Sequence, residues 1–359
     1  MTAHAVAARV RAAYWPPLVQ AVRSLDQHQP QLALVLGYHL GLNDTHGTPG
    51  SGDDGLASTL CLAGLGACAA GADHGQATAC ALAVELTKDF IQLEDDILDN
   101  DFSRRGRASA WRAFGTPATL LTIDVTRALA FDLLTATGPH PLRAARHLQR
   151  YADAVARGQA ADLAAESRPW TGKNQVTLAE YKHIIEDKGA AMVVAALTLG
   201  AVLTDAPPVI LHTLTRAGTQ LGMAWQIFDD LTDIWNAHGP RAFSSDLARG
   251  KKSYPVITAI SSGAAEADTL AELLARHPAT AQDVRTAAGL IEACGGRHAT
   301  EQRVKELCAA ALDTLAHPDL DRASADDIAA IASVIGTRGT ESTLTVGTPA
   351  IRRPEAGMT

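Results

Sequence analysis

Between Asp95 and Asp101 the chain places four acids in seven positions, Asp95, Asp96, Asp99 and Asp101, at the end of an apolar run. Arg104, Arg105 and Gly106 follow at once. On a helix, positions four apart share a face, so Asp95 and Asp99 project together with Asp96 beside them. Carboxylates held this close repel and raise each other's pKa. A bound cation relieves that cost. Oxygen ligands in an otherwise apolar setting suit Mg²⁺, which is usually held by one or two carboxylates plus the phosphates of a substrate. A second copy of the spacing lies downstream in Gln226-Ile-Phe-Asp229-Asp230-Leu-Thr-Asp233, again ending an apolar run. One such triplet fits a solvated helix end. Two, on two apolar helices, with Arg-Arg-Gly after the first, are much harder to explain as solvated faces.

The pair of motifs resembles the trans-isoprenyl diphosphate synthases, the polyprenyl synthetase family. Asp95 to Gly106 match its first aspartate-rich motif, D-D-x-x-D-x-x-x-x-R-R-G, without a gap, and Gln226 to Asp233 match its second. Ala83 to Leu86, Gly158-Gln159 with Asp162, Glu180-Tyr181 with Lys188, and Asp246 to Pro255 add to the likeness, which covers roughly residues 30 to 340.

The resemblance implies that Asp95, Asp96 and Asp99 on one wall and Asp229, Asp230 and Asp233 on the other hold Mg²⁺, three ions in the family. It implies that Arg104, Lys188 and Lys251 contact an allylic diphosphate, with Arg241 near the place of a further family lysine. Gln159 and Gln226 would turn amide oxygens toward a carbocation. Lys188 and Gln226 join the six aspartates as the expected catalytic set. Phe90 and Ile91 would line a tunnel for the hydrocarbon tail, and Phe90 is expected to act as its floor, giving a product of about 15 to 20 carbons. His183, Tyr181 and Trp225 are assigned to packing. A homodimer is implied as well.

The sequence also departs from the family. Its G-G-K-R motif, which binds the diphosphate of isopentenyl diphosphate, is replaced by Gly50-Ser-Gly-Asp53-Asp54-Gly55, with the charge inverted. Lys88, seven residues before Asp95 and so on its face, stands where the family has His or Gln. Lys88 and Arg105 are candidates to supply the missing charge. Gly189 follows Lys188 where the family has Thr. Three readings stay open. The first is condensation of an allylic prenyl diphosphate with isopentenyl diphosphate, and it is the expectation taken forward. The second is a terpene synthase, or prenyl transfer to another acceptor, on the same scaffold. The third is a non-catalytic subunit of a heteromeric synthase, which has little reason to keep both acidic motifs.

The elements that must position these residues read as helices. The chain of 359 residues is 47% hydrophobic but only 4% aromatic, so its core is built mainly from Ala, Leu, Val and Ile, as in close-packed helices. Its formal charge of -8 argues against nucleic acid as a partner. The five cysteines (Cys61, Cys68, Cys80, Cys294, Cys308) show no metal spacing and read as reduced thiols of a cytoplasmic protein. The longest apolar stretches fall short of the ~20 residues that a membrane span needs. Helices are expected over most of 4–42, with a break or start at Pro16-Pro17, then 56–70, 75–98, 117–137 and 141–166. A capping box at Thr177 and Glu180 opens a further helix that runs to about residue 203. Pro207-Pro208 start the helix that ends in the second motif, 236–250 form a loop, and shorter helices follow from 251 to about 336. No strand is expected. The fold class is all-α, a large helical bundle of the isoprenoid synthase type, with one domain over 1–340 and a mobile tail over 341–359.

Overall fold

The computed structural model describes residues 2–49, 58–135, 137–235, 245–276 and 280–338. The Asp53-Asp54 segment, Arg241 and the expected C-terminal tail lie outside the described residues.

Helices account for nearly all of the described structure. In order they are α1 (Ala3–Ser24), α2 (Pro30–His39), α3 (Ser58–Ala69), α4 (His74–Leu98), α5 (Ala110–Phe114), α6 (Thr116–Thr135), α7 (Pro141–Glu166) and α8 (Leu178–Ile185). Then come α9 (Ala191–Leu203), α10 (Pro208–Trp235), α11 (Ser245–Arg249), α12 (Tyr254–Ile260), α13 (Glu266–Ala275), α14 (Ala281–Ala293), α15 (Gly296–Leu315) and α16 (Arg322–Arg338). The all-α expectation holds.

Local chemistry sets the boundaries that matter to the site. Asp73 and Gln76 form a capping box at the start of α4: each side chain accepts the other's backbone N–H, at 2.9 and 3.0 Å. From that cap α4 runs 25 residues and carries the acids at its C-terminal end. Thr177 and Glu180 cap α8 in the same way, as the sequence predicts, and Arg168 anchors Glu180 at 3.0 Å.

Three expectations need correction. Pro16 and Pro17 neither break nor start a helix but lie inside α1. The lost N–H bonds are offset by the buried stripe Val6, Val10, Tyr14, Leu18 and Val22, which recurs at helical spacing. A two-stranded antiparallel hairpin follows α4, with β1 (Ser103–Arg104) paired to β2 (Arg107–Ala108). Arg105 and Gly106 both take positive φ at its tip, 53° and 74°, which a two-residue hairpin turn demands. Third, part of the expected 236–250 loop is helical, as α11.

The core is organised around α9, whose thirteen residues are all buried. A helix apolar on every side must be surrounded, and α3, α4, α7 and α10 pack around it. The approach of α3 is set by glycine. A Cβ on Gly200 would lie 2.2 Å from the Ala67 Cα, and one on Gly66 would lie 2.7 Å from the Leu197 Cα. The two acid-bearing helices, α4 and α10, therefore both rest on α9.

Candidate active site

Each acidic triplet divides into accessible and buried carboxylates. On α4, Asp96 is buried and its Oδ1 accepts from Arg104 Nε at 2.7 Å and Nη2 at 2.6 Å. The β1–β2 hairpin folds Arg104 back for this purpose. Asp95 and Asp99 stay partly accessible. Asp99 accepts weakly from Gln159 Nε2 at 3.4 Å, and burial beside Asp95 raises its pKa.

On α10 the pattern repeats. Asp230 is 3% exposed, and its Oδ2 accepts from the Tyr181 hydroxyl at 2.6 Å and the Tyr254 N–H at 2.8 Å. Burial pushes its carboxyl up to about 7, against the opposing pull of Lys251 and these donors. Asp229 is exposed and Asp233 is half-buried. Tyr181, assigned to packing, is buried and also fixes this aspartate. His183 and Trp225 do not pack as expected: the His183 side chain is 83% exposed and Trp225 is 37% exposed.

Between the walls stand cations. Lys188 Nζ donates to Asp162 at 2.7 Å and lies 4.0 Å from Asp95. Lys251 Nζ donates to Asp246 at 3.1 Å. Burial opposes the Lys251 charge, but Asp246, Asp162, Asp230 and Asp229 together hold its pKa well above the ordinary lysine value. Arg249 donates to the Asp99 carbonyl at 2.9 Å and to Asp246 at 3.1 Å. Arg249, Asp246 and Asp162 are absent from the expected site set. Asp162, Asp246 and Arg249 all sit in the family-like stretches, which was a usable signal.

The loop of chain that delivers Lys188 is a π-helical turn, Glu186–Ala190, joining α8 to α9. Such turns are rare and recur at functional sites. Gly158 on α7 allows the turn to sit close, since a Cβ there would lie 2.4 Å from the Lys188 N. At Gly189 a Cβ would lie 2.8 Å from the Gln226 Cβ and 2.9 Å from its Oε1. The missing side chain is space that Gln226 takes. Gln159 is buried, and its Oε1 has no hydrogen-bond partner.

The remaining expected residues lie around α4. Phe90 is buried with Val35, Leu93, Ala110 and Ile123, and the Arg127 guanidinium sits 4.7 Å over its ring. Five residues of helix turn it about 140° from Asp95, whereas Ile91, four before, shares the Asp95 face. Ile91 packs against two core clusters. Arg105 donates to the His39 carbonyl at 2.9 Å, and Lys88 pairs with Glu85 and Asp89 at 2.6 and 2.8 Å. Lys88 therefore does not snorkel to the surface.

Among the described residues no three acids, histidines or cysteines converge on one metal position. A pair of carboxylates per wall, completed by substrate phosphates, is the arrangement Mg²⁺ accepts. The accessible acids Asp95, Asp99, Asp229 and Asp233 fit that description.

The polyprenyl synthetase family model matches residues 55–291. The chain belongs to the polyprenyl synthetase family. Enzymes of this family are trans-prenyltransferases that use prenyl diphosphates and magnesium. The chain is similar to a geranylgeranyl diphosphate synthase of Mycobacterium tuberculosis, 34% identical over 321 residues that cover 87% of this chain and 89% of the relative. It is similar to a (2E,6E)-farnesyl diphosphate synthase of Mycobacterium bovis, 33% identical with 88% of each chain covered. A solved polyprenyl synthetase from Streptomyces coelicolor shares the fold at a TM-score of 0.82 and 32% identity, covering 92% of this chain and 98% of that one. Among the described residues no helix is long and apolar enough to cross a membrane.

Proposed function

We propose that this polyprenyl synthetase ionises an allylic prenyl diphosphate and condenses the cation with isopentenyl diphosphate, giving a prenyl diphosphate of about 15 to 20 carbons. The observation that carries this reading is the pair of acid walls with Lys188 and Lys251 held between them and the unpartnered Gln159 oxygen beside Asp99. Asp95, Asp99, Asp229 and Asp233 would hold the magnesium. Bound there, Mg²⁺ supplies Lewis-acid stabilisation of the leaving diphosphate. Lys188 and Lys251 present charged N–H donors to the same group. Asp96 and Asp230 act one step back, fixing Arg104 and the Tyr181–Tyr254 pair. The Gln159 Oε1, buried without a donor, is an acceptor dipole available to a cation. The alkene attacks that cation, and the released diphosphate takes the proton.

Leu120 and Leu121 on α6, 49% and 58% exposed, support a homodimer through that helix. The names of the Mycobacterium relatives favour condensation over cyclisation. The deciding experiment incubates purified protein with Mg²⁺, geranyl, farnesyl or geranylgeranyl diphosphate, and labelled isopentenyl diphosphate. Label in a longer diphosphate is the expected result. Hydrocarbon or alcohol formed without isopentenyl diphosphate overturns it.

A further inference from the structure

The most unusual charge cluster outside the acid walls lies on α4 itself. Lys88 carries the sole ammonium in a group with two buried acids: its Nζ is 2.6 Å from Glu85 Oε1 and 2.8 Å from Asp89 Oδ1. The two acid side chains are 3% and 0% exposed. Neither Asp89 oxygen has a hydrogen bond, and His39 Nε2, 3.5 Å away, has none either. Burial pushes His39 down to about 4, so it is neutral at pH 7 and adds no charge. Burial also opposes the charge on Asp89, but the Lys88 ammonium outweighs it and holds the carboxyl well below its usual range.

Seven residues of helix place Lys88 within about 20° of the Asp95 face and about 10 Å along the axis from it. Arg105, beside it, is bonded to the His39 carbonyl at the end of α2 and lies 3.4 Å from Gln92, one turn on from Lys88. A second anionic substrate brought alongside the first thus meets a lysine whose ammonium is already held by two carboxylates. An ammonium has three N–H donors. Glu85 accepts one of them, and Asp89 faces the ammonium as an ion pair without a hydrogen bond, so donors remain for an incoming anion.

We propose that Glu85 and Asp89 are positioning residues that orient and partly neutralise Lys88, so that affinity for the acceptor diphosphate is set by competition between these carboxylates and the incoming anion. The inference rests on the condensation reading. Asp89, buried and without a hydrogen bond, holds the cation strongly, because losing it would leave a charge unpaired away from water. The acceptor therefore bonds a remaining N–H rather than extracting the lysine, and it feels the carboxylates at short range.

The test compares steady-state kinetics of wild type, Glu85→Gln, Asp89→Asn, Lys88→Gln and Glu85→Gln/Lys88→Gln. Removing one carboxylate charge is expected to lower KM for isopentenyl diphosphate about tenfold, from Coulomb energies at a few ångström, with KM for the allylic diphosphate unchanged. Lys88→Gln raises KM for isopentenyl diphosphate, and the double variant loses the gain of Glu85→Gln. Should Asp89→Asn not fold, Glu85→Gln carries the test, with thermal melting as the check. Wild type that incorporates label while Glu85→Gln leaves KM for isopentenyl diphosphate unchanged overturns this inference alone. Wild type that incorporates no label overturns the condensation reading and the inference with it.

Discussion

At the scale of single residues, the repeated D-D-x-x-D spacing hides a division of labour. Asp95, Asp99, Asp229 and Asp233 keep contact with solvent, and the buried Asp96 and Asp230 hold protein donors. Asp95→Ala and Asp229→Ala are expected to lower kcat by about a thousandfold or more, the scale of losing preorganised charge stabilisation, with the helical circular dichroism signal intact. Full activity in either would contradict the metal assignment. Asp96→Ala should instead also cost roughly 2 kcal/mol of stability by denaturant titration, less than for a fully buried pair because Arg104 keeps some contact with water. His147 gives a pH signature. It is buried on Thr198, 2.7 Å away, and burial lowers its pKa to about 4. The unfolded chain binds this proton near 6.5, so between these values the unfolded state holds more protons than the folded one. Stability from this group is complete above 6.5 and falls by about 3 kcal/mol as pH drops to 4. Melting curves of wild type and His147→Gln across that window check it: the variant should lose part of the slope.

At the scale of elements, the π-helical turn carries Lys188 and sets Gly189 against Gln226, and the α4–α6 seam buries Phe90. Gly189→Thr puts atoms where the Gln226 side chain now sits. Turnover should fall about a hundredfold, the cost of a misplaced group near the chemistry, while the Mg²⁺ dependence is unchanged. A shifted Mg²⁺ dependence would mean that the whole second wall has moved. Phe90→Ala removes a buried ring and should cost about 3 kcal/mol or more. If Phe90 limits the tail, the product also lengthens, as read by chromatography of the hydrolysed alcohols. Unchanged product length would assign Phe90 to the packing of Val35 and Ile123 alone.

At the scale of the whole molecule, α9 sets the geometry. Both acid helices lie on it, so errors in its packing reach the site. The α3–α9 seam, closed to backbone distance by Gly66 and Gly200, tolerates no Cβ without movement. The exposed α6 leucines belong to this scale too. Leu120→Asp with Leu121→Asp should yield monomers by light scattering if α6 forms the dimer interface, and an unchanged mass would place the interface elsewhere.

The sequence by itself determined the all-α class, the helices that carry the acids, the Thr177–Glu180 cap and the family. These follow from local rules: helical periodicity, capping chemistry, and motif residues spaced to share one helix face. It did not show that Asp96 and Asp230 are occupied, that Arg249 and Tyr181 join the network, or that Lys88 is held by Glu85 and Asp89. Occupancy by a partner depends on which helices meet and how closely. Arg249 reaches Asp99 across 150 residues, and Tyr181 reaches Asp230 across 49. The tolerated Pro16-Pro17 pair makes the same point, since a local penalty yielded there to a buried stripe. Sequence spacing fixes which groups share a face, while tertiary packing decides burial and pairing, and burial and pairing decide which carboxylates remain open to a metal.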